Sequence, residues 1–208
     1  MPGFFITFEG GEGAGKSTQI RRIGQALTEA GHSVVVTREP GGSPGAEAIR
    51  DLFVSGAPDR WDAVTELLLA TAARRDHVRQ TIAPALAAGQ IVLCDRFVHS
   101  TLAYQVGRDD VTEEQVMALH RLALGELWPD LTFVFDLEPQ LAKERITARD
   151  GEKLGRFERM DPAFHTRLRE RFSSIAQNDD VCLQIDAAAP MDDITTTLLD
   201  AINARCTL

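Results

Sequence analysis

Features of a secreted, membrane-spanning or polyanion-binding chain are scarce in these 208 residues. There are three cysteines, Cys94, Cys182 and Cys206, with no CxxC spacing among them. Cys94 and Cys182 fall inside apolar, strand-like runs, which predicts buried free thiols in a reducing compartment rather than a disulfide framework. No charged N-terminal segment leads into an apolar one, and the longest apolar stretch, ELLLATAA, is far too short to span a bilayer. A cytoplasmic location is the expectation. Positive charge is in deficit: the formal net charge is −9, which argues against broad binding to nucleic acid or an anionic membrane. Repeats and low-complexity segments are missing. So are an NKxD stretch and a DxxG after a strand, which a GTPase switch would need.

What is present suits a globular α/β enzyme. A hydrophobic fraction of 44% supports a core, and the length fits one domain over residues 1–208 with a small mobile insert. Five apolar runs stand out, FFITFE (4–9), SVVVTRE (33–39), QIVLCD (90–95), LTFVFDL (131–137) and VCLQID (181–186). None alternates cleanly, the pattern of parallel strands covered on both faces. Helical patterns lie between them at about 16–30, 46–55, 61–88, 112–126, 139–149, 161–177 and 191–205. This alternation predicts right-handed crossovers and a doubly wound parallel sheet.

The motif with the most chemistry is EGGEGAGKST (9–18). Gly10-x-x-x-x-Gly15-Lys16-Ser17 matches the phosphate-loop pattern GxxxxGK[ST], after a predicted strand and before a predicted helix. Glycines let backbone N–H groups converge on a phosphate, Lys16 brings charge to the β/γ oxygens, and Ser17 is placed to ligate magnesium. The helix adds the positive end of its dipole. Residues 10–18 (Gly10, Gly11, Glu12, Gly13, Ala14, Gly15, Lys16, Ser17, Thr18) are therefore the expected site for the phosphates of a nucleoside triphosphate. Asp95 closes the third strand as a second candidate magnesium ligand, and Arg96 follows it. Arg38 ends the second strand in the same crevice, where Arg grips phosphate bidentately. In the long helical stretch Arg74 and Arg75 both interrupt the apolar stripe Val64, Leu67, Leu68, Thr71, Val78, Ile82, Leu86. Periodicity does not choose between them. TARDGEKLGRFERMDP (147–162) is dense in charge and poor in apolar anchors, as a solvated loop or a mobile lid would be.

FEGGEGAGKST, TREPGG, AAR, DRF…STLAYQ and GRFE, in this order and spacing, resemble the bacterial thymidylate kinase (dTMP kinase) family over essentially the whole chain. The resemblance implies the P-loop NTPase fold with a five-stranded parallel sheet, helices on both faces and a short mobile lid at about 147–160. It implies transfer from ATP to dTMP with Mg²⁺, in a homodimer. It assigns Glu12 to the deoxyribose 3′-hydroxyl, and Arg38, Arg74 and Arg96 to the acceptor phosphate and thymine. Ser100, Thr101 and Gln105 match polar contacts near the base, and Tyr104 the ring that crowds the 2′ carbon. Some members carry an arginine where this chain has Gly13; the others use lid arginines, best matched here by Arg156 and next by Arg149. Ala70 departs from the family, which usually has a phenylalanine stacking on thymine there. Restoring that ring is expected to tighten dTMP binding about five-fold, unless a neighbour such as Phe53 or Leu69 fills the space.

Overall fold

Strand β1 (Phe4–Gly10) is the middle of a five-stranded sheet with β2 (Val34–Arg38), β3 (Ile91–Asp95), β4 (Leu131–Asp136) and β5 (Cys182–Asp186). All pairings are parallel, in the order β2-β3-β1-β4-β5. Residues 3–150 and 155–206 are described by the structure, a computed structural model, with the backbone alone at 149 and 150. Alternate residues of a strand face opposite sides. Ile6, Phe8, Leu93 and Phe133 pack with α1 (Lys16–Glu29) and α9 (Met191–Arg205) through Ile20, Ile23, Leu198 and Ile202. Phe5, Val92 and Cys94 face the other layer, against Val78, Ile82 and Phe97. Further along that layer, Val134 meets Tyr104 of α5 (Val98–Gln105) and Leu168 and Phe172 of α8 (Pro162–Asn178). Both faces are covered, which is why β1, β3 and β4 show no alternation in sequence.

Three expectations differ from the structure. Edge strands β2 and β5 are only partly buried, and Val36 is 53% exposed; each has a neighbour on one side only. The helix expected at 61–88 is α3 (Ala63–His77), a π-helical turn at Val78–Ile82, and α4 (Ala83–Ala87). Pro84, which offers no N–H, sits just inside α4. Of the stripe on this stretch, Leu67, Val78 and Ile82 are buried but Val64 and Leu68 are about half exposed. Third, α5 was not among the expected helices, because HSTLAYQ carries no apolar stripe. It is nevertheless almost wholly buried.

The other helices are α2 (Pro44–Val54), α6 (Glu113–Leu124) and α7 (Pro139–Asp150). All three cysteines are buried and free, Cys206 as well as the two expected. Of the expected lid, residues 151–154 lie outside the described residues, and 155–160 form turns before α8.

Strand register brings the chemistry together. Asp95 pairs with Phe8 on one side and Arg38 on the other, so the ends of β1, β2 and β3 form one edge of the sheet.

Candidate active site

The loop after β1 is shaped by glycines that other residues could not replace. Gly10 has φ +124°, and a Cβ there would stand 2.4 Å from the Phe135 carbonyl oxygen. Gly13 and Gly15 also have positive φ, +74° and +89°. Helix α1 starts directly from Gly15 with no side chain capping its first N–H groups. Helices α3, α6 and α8, by contrast, are capped by Asp62, Thr112 and Asp161. The uncapped end of α1 leaves backbone donors for an anion. Lys16 is buried in this loop, and its Nζ donates to the carbonyls of Gly10 (3.0 Å) and Gly11 (2.8 Å). Burial, reinforced by repulsion from Arg96, lowers its pKa to about 8.

Ser17 Oγ donates to Asp95 Oδ2 at 2.9 Å. The other carboxylate oxygen, Asp95 Oδ1, is buried without a hydrogen-bond partner among the described residues. A carboxylate oxygen left so beside a hydroxyl is a donor set for a hard cation such as Mg²⁺.

A cleft opens beside the loop, walled by the carboxyl ends of β2 and β3 and by α2, α3 and α5. Arg38, Arg74 and Arg96 all line it, with Glu12, Ala70, Asp95, Ser100, Thr101, Tyr104 and Gln105. Arg96 has φ +72°, a strained value for a non-glycine residue. Its side chain is fixed by Glu12 (2.9 Å) and Ser100 (3.0 Å) and lies over the Tyr104 ring. Tyr104 Oη lies 2.8 Å from both Glu12 carboxylate oxygens. Burial opposes the charge on Glu12, but Arg96 and Lys16 outweigh it and hold the carboxyl below its ordinary value. Burial pushes the Tyr104 phenol well up, so it remains a donor.

The ambiguity between the paired arginines disappears in space. Arg74 points into the cleft, buried, donating to Glu39 Oε2 (2.7 Å), the Phe97 carbonyl and Thr101 Oγ1 (both 2.9 Å). Arg75 points the other way and donates to the Ala123 carbonyl on α6.

The sequence profile of the thymidylate kinase family matches residues 8–198. The chain belongs to this family. It is 53% identical over 204 residues to the thymidylate kinase of Caulobacter vibrioides, covering 98% of this chain and 97% of the relative. With that of Rhizorhabdus wittichii it shares 45% over 203 residues, covering 97% and 98%. A crystal structure of the Ehrlichia chaffeensis thymidylate kinase superimposes with a TM-score of 0.76 at 30% identity, over 97% of this chain and 99% of that one.

Within the family, Gly13 is explained by packing. A Cβ there would meet the Ala142 carbonyl of α7 at 2.7 Å, so an arginine at 13 requires α7 to move. The lid cation expected in its place, Arg156, is not brought to the loop. It is 1% exposed and donates to Glu66 (2.6 Å) and to the carbonyls of Ala57 (3.0 Å) and Pro58 (2.8 Å). All of these lie on or around the α2–α3 connection. The Arg149 side chain lies outside the described residues.

Several site residues were not picked out in the sequence. Arg50 and Phe157 line the acceptor cleft, together with Phe53, which the sequence offers as a neighbour able to fill the space at Ala70. Glu39 orients Arg74, and Glu9 accepts from Phe97 N (2.7 Å) and Ser100 Oγ (2.5 Å), seating the start of α5. Glu9 and Glu39 are acids at strand ends, a signal that was legible. Phe157 stands in the charged stretch 147–162, which reads as a loop or lid.

Proposed function

We propose that this chain transfers the γ-phosphoryl group of ATP to dTMP, forming ADP and dTDP. One observation carries the reading: a phosphate loop and an arginine-lined cleft share Glu12 at a single edge of the sheet. Two nucleotides bound there meet phosphate to phosphate. The loop amides, the start of α1 and Lys16 take the ATP phosphates. Arg38, Arg74 and Arg96 take the acceptor phosphate, and Glu12 faces the sugar 3′-hydroxyl. Tyr104, held against Glu12, leaves little room for a 2′-hydroxyl. Ser17 and Asp95 would hold Mg²⁺, which neutralises charge on the triphosphate. No general base is needed, because the acceptor phosphate oxygen is already anionic. Catalysis then rests on alignment and on cations that follow the transferring charge. The segment at about 147–160 serves as the lid in this reading.

A homodimer is part of the proposal. Val64 and Leu68 on α3 are about half exposed, and Leu122 on α6 is 83% exposed; these helices pack together. An apolar face of this kind suits a second copy.

Two results are expected. ADP should form from ATP only when dTMP is added. Slow ADP release that ignores the acceptor would instead mark a nucleotide-binding switch.

The second concerns pH. Lys16 is charged below a pKa of about 8 and loses its charge above it, so kcat/KM for ATP should fall as pH rises through that value. The Tyr104 phenol and the Cys94 thiol, both pushed well up by burial, stay out of this window. A kcat/KM profile that stays flat well above pH 8 would remove Lys16 from ATP capture.

A further inference from the structure

The cleft has its aromatic surface in an unexpected place. Ala70 lines the wall with a single methyl group, so α3 offers the acceptor base nothing to stack on. Phe53 of α2 and Phe157, within the expected lid, line the same cleft with ring centroids 5.4 Å apart. Phe157 also meets the Tyr104 ring edge-on at 5.4 Å.

Phe157 is not free to drift. Its neighbour Arg156 lies over the Phe157 ring, 5.0 Å from its centroid. The Arg156 guanidinium is sunk among backbone carbonyls that include that of Phe53, and it ends on Glu66. Glu66 is fully buried, and its other oxygen accepts from Gln105 (2.9 Å) and Arg108 (2.6 Å). A single carboxylate therefore fixes both the arginine beside Phe157 and the amide of Gln105, which lines the cleft. Buried ion pairs of this kind are costly to build and costly to break from one side, so the arrangement holds one geometry.

The geometry points to Phe157, backed by Phe53, as the surface that covers the flat ring of the acceptor nucleotide in place of the side chain missing at Ala70. Glu66 and Arg156 are its positioning residues. This inference rests on the dTMP reading above and adds to it. Base recognition then depends on the turn at 155–160, at the end of the expected lid, rather than on α3. It also reverses the expectation for Ala70: with Phe53 and Phe157 already in the cleft, a third ring overpacks it.

Calorimetric titration of dTMP, without ATP, into five folded proteins tests this. They are the unsubstituted chain, Phe157→Ala, Ala70→Phe, the double variant and Glu66→Gln. Phe157→Ala should weaken dTMP binding roughly 5- to 150-fold, the range for losing an aromatic partner of a base. Ala70→Phe alone should weaken binding, but in the Phe157→Ala background it should restore it. Glu66→Gln should weaken dTMP and leave ATP affinity unchanged, a split that a purely structural carboxylate would not produce. Unchanged dTMP affinity in Phe157→Ala would overturn the inference, as would equal tightening by Ala70→Phe in both backgrounds. If the unsubstituted protein failed to bind dTMP, the acceptor assignment would fall instead. The same proteins titrated with a monophosphate that does bind would then decide the role of Phe157.

Discussion

Lys16→Met is expected to abolish phosphoryl transfer, by roughly 10³-fold or more, while dTMP still binds. A cation that follows charge on a transferring phosphoryl group contributes on this scale. Methionine keeps most of the unbranched stem, so the buried loop retains its packing, and the lost element is the ammonium. That ammonium sits among the Gly10 and Gly11 carbonyls and does not line the acceptor cleft. Glu12 keeps its salt bridge to Arg96 in the variant, so the sugar contact survives. Initial rates and a dTMP titration of the same preparation check both halves. Lost dTMP binding in a folded variant would contradict the separation of donor and acceptor sites.

Arg156→Ala should behave as a stability variant. The substitution leaves Glu66, 0% exposed, with Arg108 and Gln105 but without Arg156, which is as close as Arg108 at 2.6 Å, and it leaves several loop carbonyls unpaired. Removing one member of a buried pair costs about 3–5 kcal/mol. The surviving Arg108 contact places the expected loss near 3 kcal/mol, or about 6–12 °C in Tm for a chain of this size. Thermal and urea unfolding measure it. The opposite outcome is equally informative. An unchanged Tm with kcat reduced 10²-fold or more would mean that Arg156 leaves this network and acts on the phosphates, as its place in GRFE suggests.

How much of this was legible in the sequence depends on what each residue must do. The phosphate loop could be read because its function demands a composition: glycines at positive φ, a lysine, a hydroxyl. The strands could be read because covering both faces demands continuous apolar runs. Arg74 and Arg75 could not be separated, since neighbours on a helix differ by only about 100° and both fell near the stripe. The positions of Glu39, just after β2, and of Phe97 and Thr101, all far in sequence, make Arg74 the inward one. Helix α5 was missed because its buried face meets polar partners, Glu9, Arg74 and Glu66, as well as apolar ones, so its sequence shows no apolar stripe. Phe157 was hidden for the opposite reason. A phenylalanine in a charged segment carries no sign of whether it faces a core or a ligand, and Glu66 looked like an ordinary acid in the first turn of a helix.

The most direct test of the whole account is the rate of ADP release from ATP with dTMP, dUMP, dCMP, dGMP, AMP and UMP as acceptors. The cleft that joins Tyr104 and Glu12 to Arg38, Arg74 and Arg96 is expected to give dTMP the highest kcat/KM of the set. A higher kcat/KM with dGMP, AMP or UMP would contradict it.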